Sequence, residues 1–321
     1  MAEFIHSVLA QDVDPTVQRV WTWDLPVNPL SHIMLTLKTT HTQATLADMA
    51  TFATEMALIP KIEVLYKGSA IFSMSGYDAW ACGLLVLGFE SWGLNELGTT
   101  IEERSWTILI PMGRKLYDPR ECFPRNLRGE LVLQVTFQDL PVEYPTEHVQ
   151  IETVELPDAN PSQYLRMTTL TATVTAGGEH DIELPIGWPI SECVLWGETK
   201  PVGVADLCTI AYVQLLRDNL RTYYSHMNFE TMHNMAGRMR YAPGYHGEHT
   251  HNGAAALALT GSSIQANHVL AHYVHVPFDI FHDGEYALQT AGFSDVILRI
   301  GVDTAVVDLA VRCIPCEIVG V

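Results

Sequence analysis

The chain is poor in positive charge. Eighteen Lys and Arg stand against 37 Asp and Glu, a formal net charge of −19. Such a surface repels a phosphate backbone, which excludes broad, direct coating of nucleic acid. The densest cationic stretch, Arg114-Lys115 with Arg120, Arg125 and Arg128, is broken by Asp118 and Glu121, so it reads as a solvated loop or a salt-bridged subunit contact. Cysteine is sparse as well: Cys82, Cys122, Cys193, Cys208, Cys313 and Cys316 are scattered over 321 residues. That spacing argues against a disulfide framework and for reduced, buried thiols. No apolar run is long enough for a membrane helix; Ala79–Phe89 covers eleven residues, against the roughly 20 needed. The segment Met1–Ala10 lacks a basic leader and a longer apolar core, predicting no secretory signal. A Gly-rich phosphate loop and a Gly-x-Ser-x-Gly elbow are also missing.

What is abundant is strand pattern. The stretches 32–40, 104–110, 130–137, 168–175 and 295–302 are rich in β-branched and apolar residues with a period near two. Turn residues such as Gly177-Gly178 and Asp283-Gly284 bound them. Helix signals are few: 44–58, a short helix near 75–85, and 205–221, where apolar residues recur at three and four. Four prolines, Pro141, Pro145, Pro157 and Pro161, fall among acidic residues and place a boundary between 139 and 161.

The strand pattern occurs twice. Ile110-Pro111 precedes Leu131 by about the interval at which Val276-Pro277 precedes Ile297. The run Pro60–Gly68 (Pro-Lys-Ile-Glu-Val-Leu-Tyr-Lys-Gly) also reads against Pro189–Gly197 (Pro-Ile-Ser-Glu-Cys-Val-Leu-Trp-Gly). Repeated order at long period predicts two similar tandem domains. The first match is shifted by 166 residues and the second by 129, predicting 37 extra residues in the second copy. Insertions of that kind lie in loops, where function is grafted onto a scaffold.

These elements carry a family resemblance. The strand, turn and short helix of Lys61–Ala79, the run Trp106–Arg114 with its counterpart Tyr273–Asp279, and the closing strands after Gly129 and Ser294 resemble the double jelly-roll major capsid proteins of tailless icosahedral viruses with an internal membrane. The resemblance covers most of residues 30–315 in order and length, without a short specific motif. It implies an all-β, mainly β fold of two tandem eight-stranded jelly-roll sandwiches with a few short inserted helices. Residues 1–29 would be an N-terminal arm, 30–150 the first roll, and 151–321 the second, with a His- and Met-rich loop insertion at about 205–253. The implied role is structural: homotrimers of pseudo-hexagonal outline tile an icosahedral shell, without catalysis, cofactor or metal. Minor capsid and vertex proteins would be partners, the N-terminal arm would contact an internal membrane, nucleic acid would not be bound directly, and the protein would reside in the virion after assembly in the host cytoplasm.

One segment supports a rival reading. The span 223–253 holds His226, His233, His246, His249 and His251. His249 and His251 point the same way on a strand, and His246 with Glu248 completes a nitrogen and oxygen set for Zn²⁺, Fe²⁺ or Mn²⁺. Tandem β-sandwiches with a His-x-His pair resemble the bicupin enzymes, which makes a metal-dependent enzyme using His246, His249 and His251 the alternative function. The Glu expected a few residues after the pair is absent, a further ligand would have to come from His268, His272 or His275, and the first copy has no such pair. Plain loop histidines, sheet histidines at 268, 272 and 275, gap-filling Met227, Met232, Met235 and Met239, and two buried thiols at Cys313 and Cys316 are the competing reading.

Overall fold

A computed structural model describes residues 3–16, 18–42, 52–88, 94–97, 101–199, 208–235, 269–303 and 309–321. The chain divides into two compact units, Met1–Thr168 with Val319–Val321, and Thr169–Ile318.

The first unit contains β1 (Ile5–Val13), β2 (Val20–Asp24), β3 (Leu30–Thr42), α1 (Phe52–Met56), β4 (Lys61–Tyr66), β5 (Ser69–Met74), α2 (Gly76–Leu87), β6 (Leu94–Leu97), β7 (Ile101–Pro111), β8 (Leu131–Thr136), β9 (Thr146–Glu155) and β10 (Gln163–Thr168). One sheet runs β1-β9-β3-β7-β6, and the other contains β10-β5-β4-β8-β2. Alternation explains the sandwich. On β3, Ile33, Leu35 and Leu37 point inward at 0–1% exposure, and on β8 Leu131, Leu133 and Val135 do the same. Burial of each such side chain contributes roughly 1.5–3 kcal/mol. Helix α2 starts where the Ser75 hydroxyl accepts the Asp78 N–H at 3.1 Å, and ends at left-handed Gly88 (φ 71°).

The second unit contains β11 (Leu170–Val174), β12 (Gly178–Glu183), β13 (Ile190–Gly197), β14 (Tyr212–Arg217), β15 (Leu220–Arg221), β16 (Met227–Asn228), α3 (Phe229–Met235), β17 (Tyr273–Pro277), β18 (Val296–Val302) and β19 (Leu309–Gly320). Its sheets are β17-β13-β19 with β11 beside β19, and β12-β18-β14-β15 with β16 beside β14. The core between them includes Leu195, Val213, Leu215, Val274, Leu298 and Ile300.

Within the units the connectivity is the same. The strand orders β1-β9-β3-β7 and β2-β8-β4-β5 of the first recur as β11-β19-β13-β17 and β12-β18-β14-β15 in the second. Each set is an eight-stranded jelly roll, two four-stranded sheets with non-sequential neighbours; β6, β10 and β16 are additions.

Pairing also corrects the alignment of the copies. The Pro111–Pro277 match holds, because Pro111 lies opposite His32 on β3 and Pro277 opposite Glu192 on β13. The Pro60–Pro189 match does not, because β4 lies between β5 and β8 whereas β13 lies between β17 and β19. The counterpart of β4 is β14: Val64 faces Leu133 as Leu215 faces Leu298. The shift between copies is thus 151 residues at β4 and 166 at β7, a surplus of 15 rather than 37.

Three further expectations change. Residues 5–24 are not an arm, since β1 pairs with β9 and β2 with β8. The division falls after Thr168 rather than at 150, because residue 150 lies inside β9, a central strand of the first unit. The expected helix at 205–221 is a hairpin over 212–221: Asp218 and Asn219 both take positive φ (47° and 63°), a two-residue turn that reverses the chain into β15. The insertion expected from 205 therefore overlaps sheet strands as far as Asn228.

Candidate functional site

In both units one end of the sandwich is built by three loops. In the first these are 25–29, the turn Lys67-Gly68, and 112–130; in the second they are 184–189, Asp218-Asn219, and 278–295. Both ends are organised by a bulged serine. The β3–β9 register slips between Leu30 and His32, and the β13–β19 register between Ile190 and Glu192. The freed Ser31 carbonyl accepts the Met112 N–H at 3.0 Å, and that of Ser191 accepts the Phe278 N–H at 2.9 Å. The far part of each long loop returns to the same strand: Leu30 and Phe123 exchange two hydrogen bonds at 2.9 Å, Ile190 and Leu288 two at 2.9 and 2.8 Å.

The buried polar groups that fill these ends differ. In the first unit Arg114 clamps Glu121: its backbone N–H and Nε donate to Oε1 at 2.6 and 2.8 Å, and Nη2 donates to Oε2 at 2.7 Å. Gln163 Nε2 adds a bond to Oε2 at 2.9 Å. Burial pushes the Glu121 carboxyl up, but the hydrogen bonds and charge of Arg114 outweigh it and hold the group below the usual carboxylate range. The loop closes tightly here. A Cβ on Gly113 would lie 2.1 Å from the Glu121 carbonyl oxygen, so Gly113→Ala is expected to cost about 1–3 kcal/mol, read from urea melts; an unchanged midpoint would contradict the close approach. Nearby, His32 Nδ1 lies 3.0 Å from the Ser31 hydroxyl, and burial pushes its pKa down to about 4, with His6 adding to the shift.

In the second unit a single carboxylate serves two histidines. Glu192 Oε2 lies 2.5 Å from His275 Nε2, and Oε1 lies 3.2 Å from His282 Nε2. Asp279 accepts the Gly284 N–H at 2.9 Å, pinning the turn that carries His282. Glu192, His275, His282 and Asp279 are all buried. No substrate reaches such groups without unfolding the loop, so the arrangement suits a hydrogen-bonded clamp rather than acid–base catalysis.

Among the described residues, the histidines singled out by sequence do not converge. His246, His249 and His251, with Glu248, His268 and Met239, lie outside the described residues. His226 is exposed, stacks on Tyr212 at 4.2 Å and meets Asn228 Oδ1 at 3.0 Å. His272 Nδ1 lies 3.1 Å from the Gly197 carbonyl, and His275 belongs to the Glu192 clamp. Met232 is buried against the core. Among the described residues no group of three His, Cys, Asp or Glu side chains could hold a metal ion. Cys313 and Cys316 are buried thiols on β19, without a disulfide. Sequence reasoning missed the two clamps. The available signals were Glu192, an acid inside the apolar strand Ile190–Gly197, and Gly113, a glycine two residues after a strand that ends in proline.

Comparison with solved structures agrees with this architecture. The major capsid protein of Sulfolobus turreted icosahedral virus superposes with a TM-score of 0.68 at 12% identity, covering 99% of this chain and 97% of that one. A capsid chain of PBCV-1 virus gives 0.63 at 9% identity (99% and 94% covered), and the major capsid protein P2 of bacteriophage PM2 gives 0.58 at 10% (99% and 98%). No family model matches the sequence, and no curated protein matches it by sequence. Two rolls of identical connectivity in one chain, matched end to end by these structures, give this protein the fold of the double jelly-roll viral major capsid proteins.

Proposed function

We propose that the chain is a viral major capsid protein whose homotrimers form pseudo-hexagonal capsomers that tile an icosahedral shell. The observation that carries this reading is the duplicated roll: three chains with two like rolls each present six similar lateral faces, which suits hexagonal tiling by a trimer. The role is structural, without catalysis or cofactor, and the place is the virion, after assembly in the host cytoplasm. Minor capsid and vertex proteins are the expected partners. With residues 5–24 folded into the first roll, contact with an internal membrane has to run through loops rather than an arm. The formal charge of −19 favours a coat that does not bind nucleic acid itself.

Light scattering on the purified protein, with negative-stain electron microscopy, tests the proposal. The expected species has three times the 35.7 kDa monomer mass and a hexagonal outline. A monomer at every concentration, salt and pH tried would overturn it.

A further inference from the structure

The two equivalent loop ends carry opposite charge. Residues 24–29, 67–68 and 112–130 hold six Lys and Arg against four Asp and Glu, a net +2 in a chain of net −19. The matching residues 183–189, 218–219 and 278–295 hold six Asp and Glu and no Lys or Arg, a net −6. The contrast falls at topologically equivalent positions. Lys67 of the first β4–β5 turn corresponds to Asp218 of the β14–β15 turn, by the 151-residue shift of those strands. Arg120 corresponds to Glu285, by the 165-residue shift between Phe123 and Leu288, which make the same bridge.

Arg114, Glu121 and Asp279 are buried; the remaining charges, net +2 at one end and −5 at the other, are exposed or half-buried. The side chains of Lys67 and Arg120 are 58% and 81% exposed, and Lys115, Asp218, Asp283 and Glu285 are exposed too. Each end also exposes apolar surface, Tyr117 and Leu127 on the cationic one, Trp188, Phe281 and Tyr286 on the acidic one. On the cationic end Lys67, Arg120 and Arg128 pair with Glu130, Asp118 and Asp24, so Lys115 and Arg125 carry its net +2; apolar residues amid a net charge of one sign mark a contact surface, and the sign selects the partner. The chain as a whole repels its copies, so a local pairing of opposite ends is the way two copies gain a fixed orientation.

We propose that the cationic loop end of the first roll in one copy docks against the acidic loop end of the second roll in another copy. The contact is heterologous, using different patches on the two partners, and therefore propagates or closes into a ring. It rests on the capsid reading, from which it takes only that copies assemble.

Charge reversal tests it on the full chain, followed by sedimentation velocity. Lys115→Glu with Arg120→Glu takes the solvent-facing charge of one end from +2 to −2; Glu183→Lys, Asp283→Lys and Glu285→Lys take that of the other from −5 to +1. Each set alone should weaken association at least ~10-fold in 0.1 M salt, and raising salt to 0.5 M should weaken the wild type, because screening shortens the reach of exposed charges. Combining all five substitutions should recover most of the lost association, since the two ends are then opposite in sign again. Unchanged thermal melts identify variants that remain folded. Reversal sets that assemble like wild type, or a combination that fails to recover, overturn this contact while leaving the capsid reading standing. Sensitivity confined to the acidic end overturns it in favour of a separate cationic partner protein. A wild type that never associates overturns the capsid reading together with the contact.

Discussion

Replacing Arg114 by Met should destabilise the first unit by roughly 3–5 kcal/mol near neutral pH, the usual cost of removing one partner from a buried ion pair. Glu121 would be left as a buried charge with the Gln163 bond and the Arg114 backbone N–H as its remaining donors. Both side chains of the pair are almost fully enclosed, at 3% and 5% exposure, so solvent cannot take over the lost contacts. The sign of the pH dependence follows from the lowered Glu121 pKa. In the wild type its contribution is present above the ordinary value of 4.5 and is lost as pH falls through the folded value. In the variant the uncompensated carboxylate takes up a proton more readily, so the gap between the proteins should narrow toward pH 4. Adding Glu121→Gln should recover much of the loss, because the amide oxygen still accepts the backbone N–H of residue 114 while the buried charge is gone. Urea melts at pH 7 and pH 4 measure all three proteins. A variant within 1 kcal/mol of wild type at pH 7 would show that the pair is neutral in the fold.

The same pair shows where sequence reading stops. Strands were legible wherever one face is buried: β3, β7, β8 and β18 lie where period-two alternation puts them. The duplication was legible too, through Pro111 and Pro277, because a proline can end a strand at the same corner in both rolls. What misled was local likeness. Pro60–Gly68 and Pro189–Gly197 look alike as strings, yet one becomes β4 and the other β13, and only hydrogen-bonded neighbours distinguish them. Likewise Val213, Leu215 and Leu216 with Ile210 match a helical spacing, but positive φ at Asp218 and Asn219 makes the segment a hairpin. The clamps were hidden for a third reason: Arg114 and Glu121 read as surface charge because nothing in one dimension shows that Gly113 lets the loop fold back over them.

Glu147→Gln should stabilise the protein in mildly alkaline solution and do little in acid. Glu147 on β9 faces inward beside Thr39 of β3, is 1% exposed, and neither carboxylate oxygen has a hydrogen-bond partner among the described residues. Burial pushes its pKa up to about 8; Arg19 opposes the shift and Asp14 adds to it. The folded state therefore holds a proton that the unfolded chain releases near 4.5. Any stability that this proton confers is fully present below 4.5 and is lost as pH rises through about 8. At about 1.4 kcal/mol per unit, the wild type should lose on the order of 3–5 kcal/mol across that window. The amide keeps the shape and cannot ionise, so the variant should escape the loss. Its melting temperature should exceed that of wild type by roughly 10 °C at pH 9 and match it within a few degrees at pH 5. Parallel melting profiles for the two proteins from pH 5 to 9 would mean that Glu147 finds a cation or a donor in the folded state.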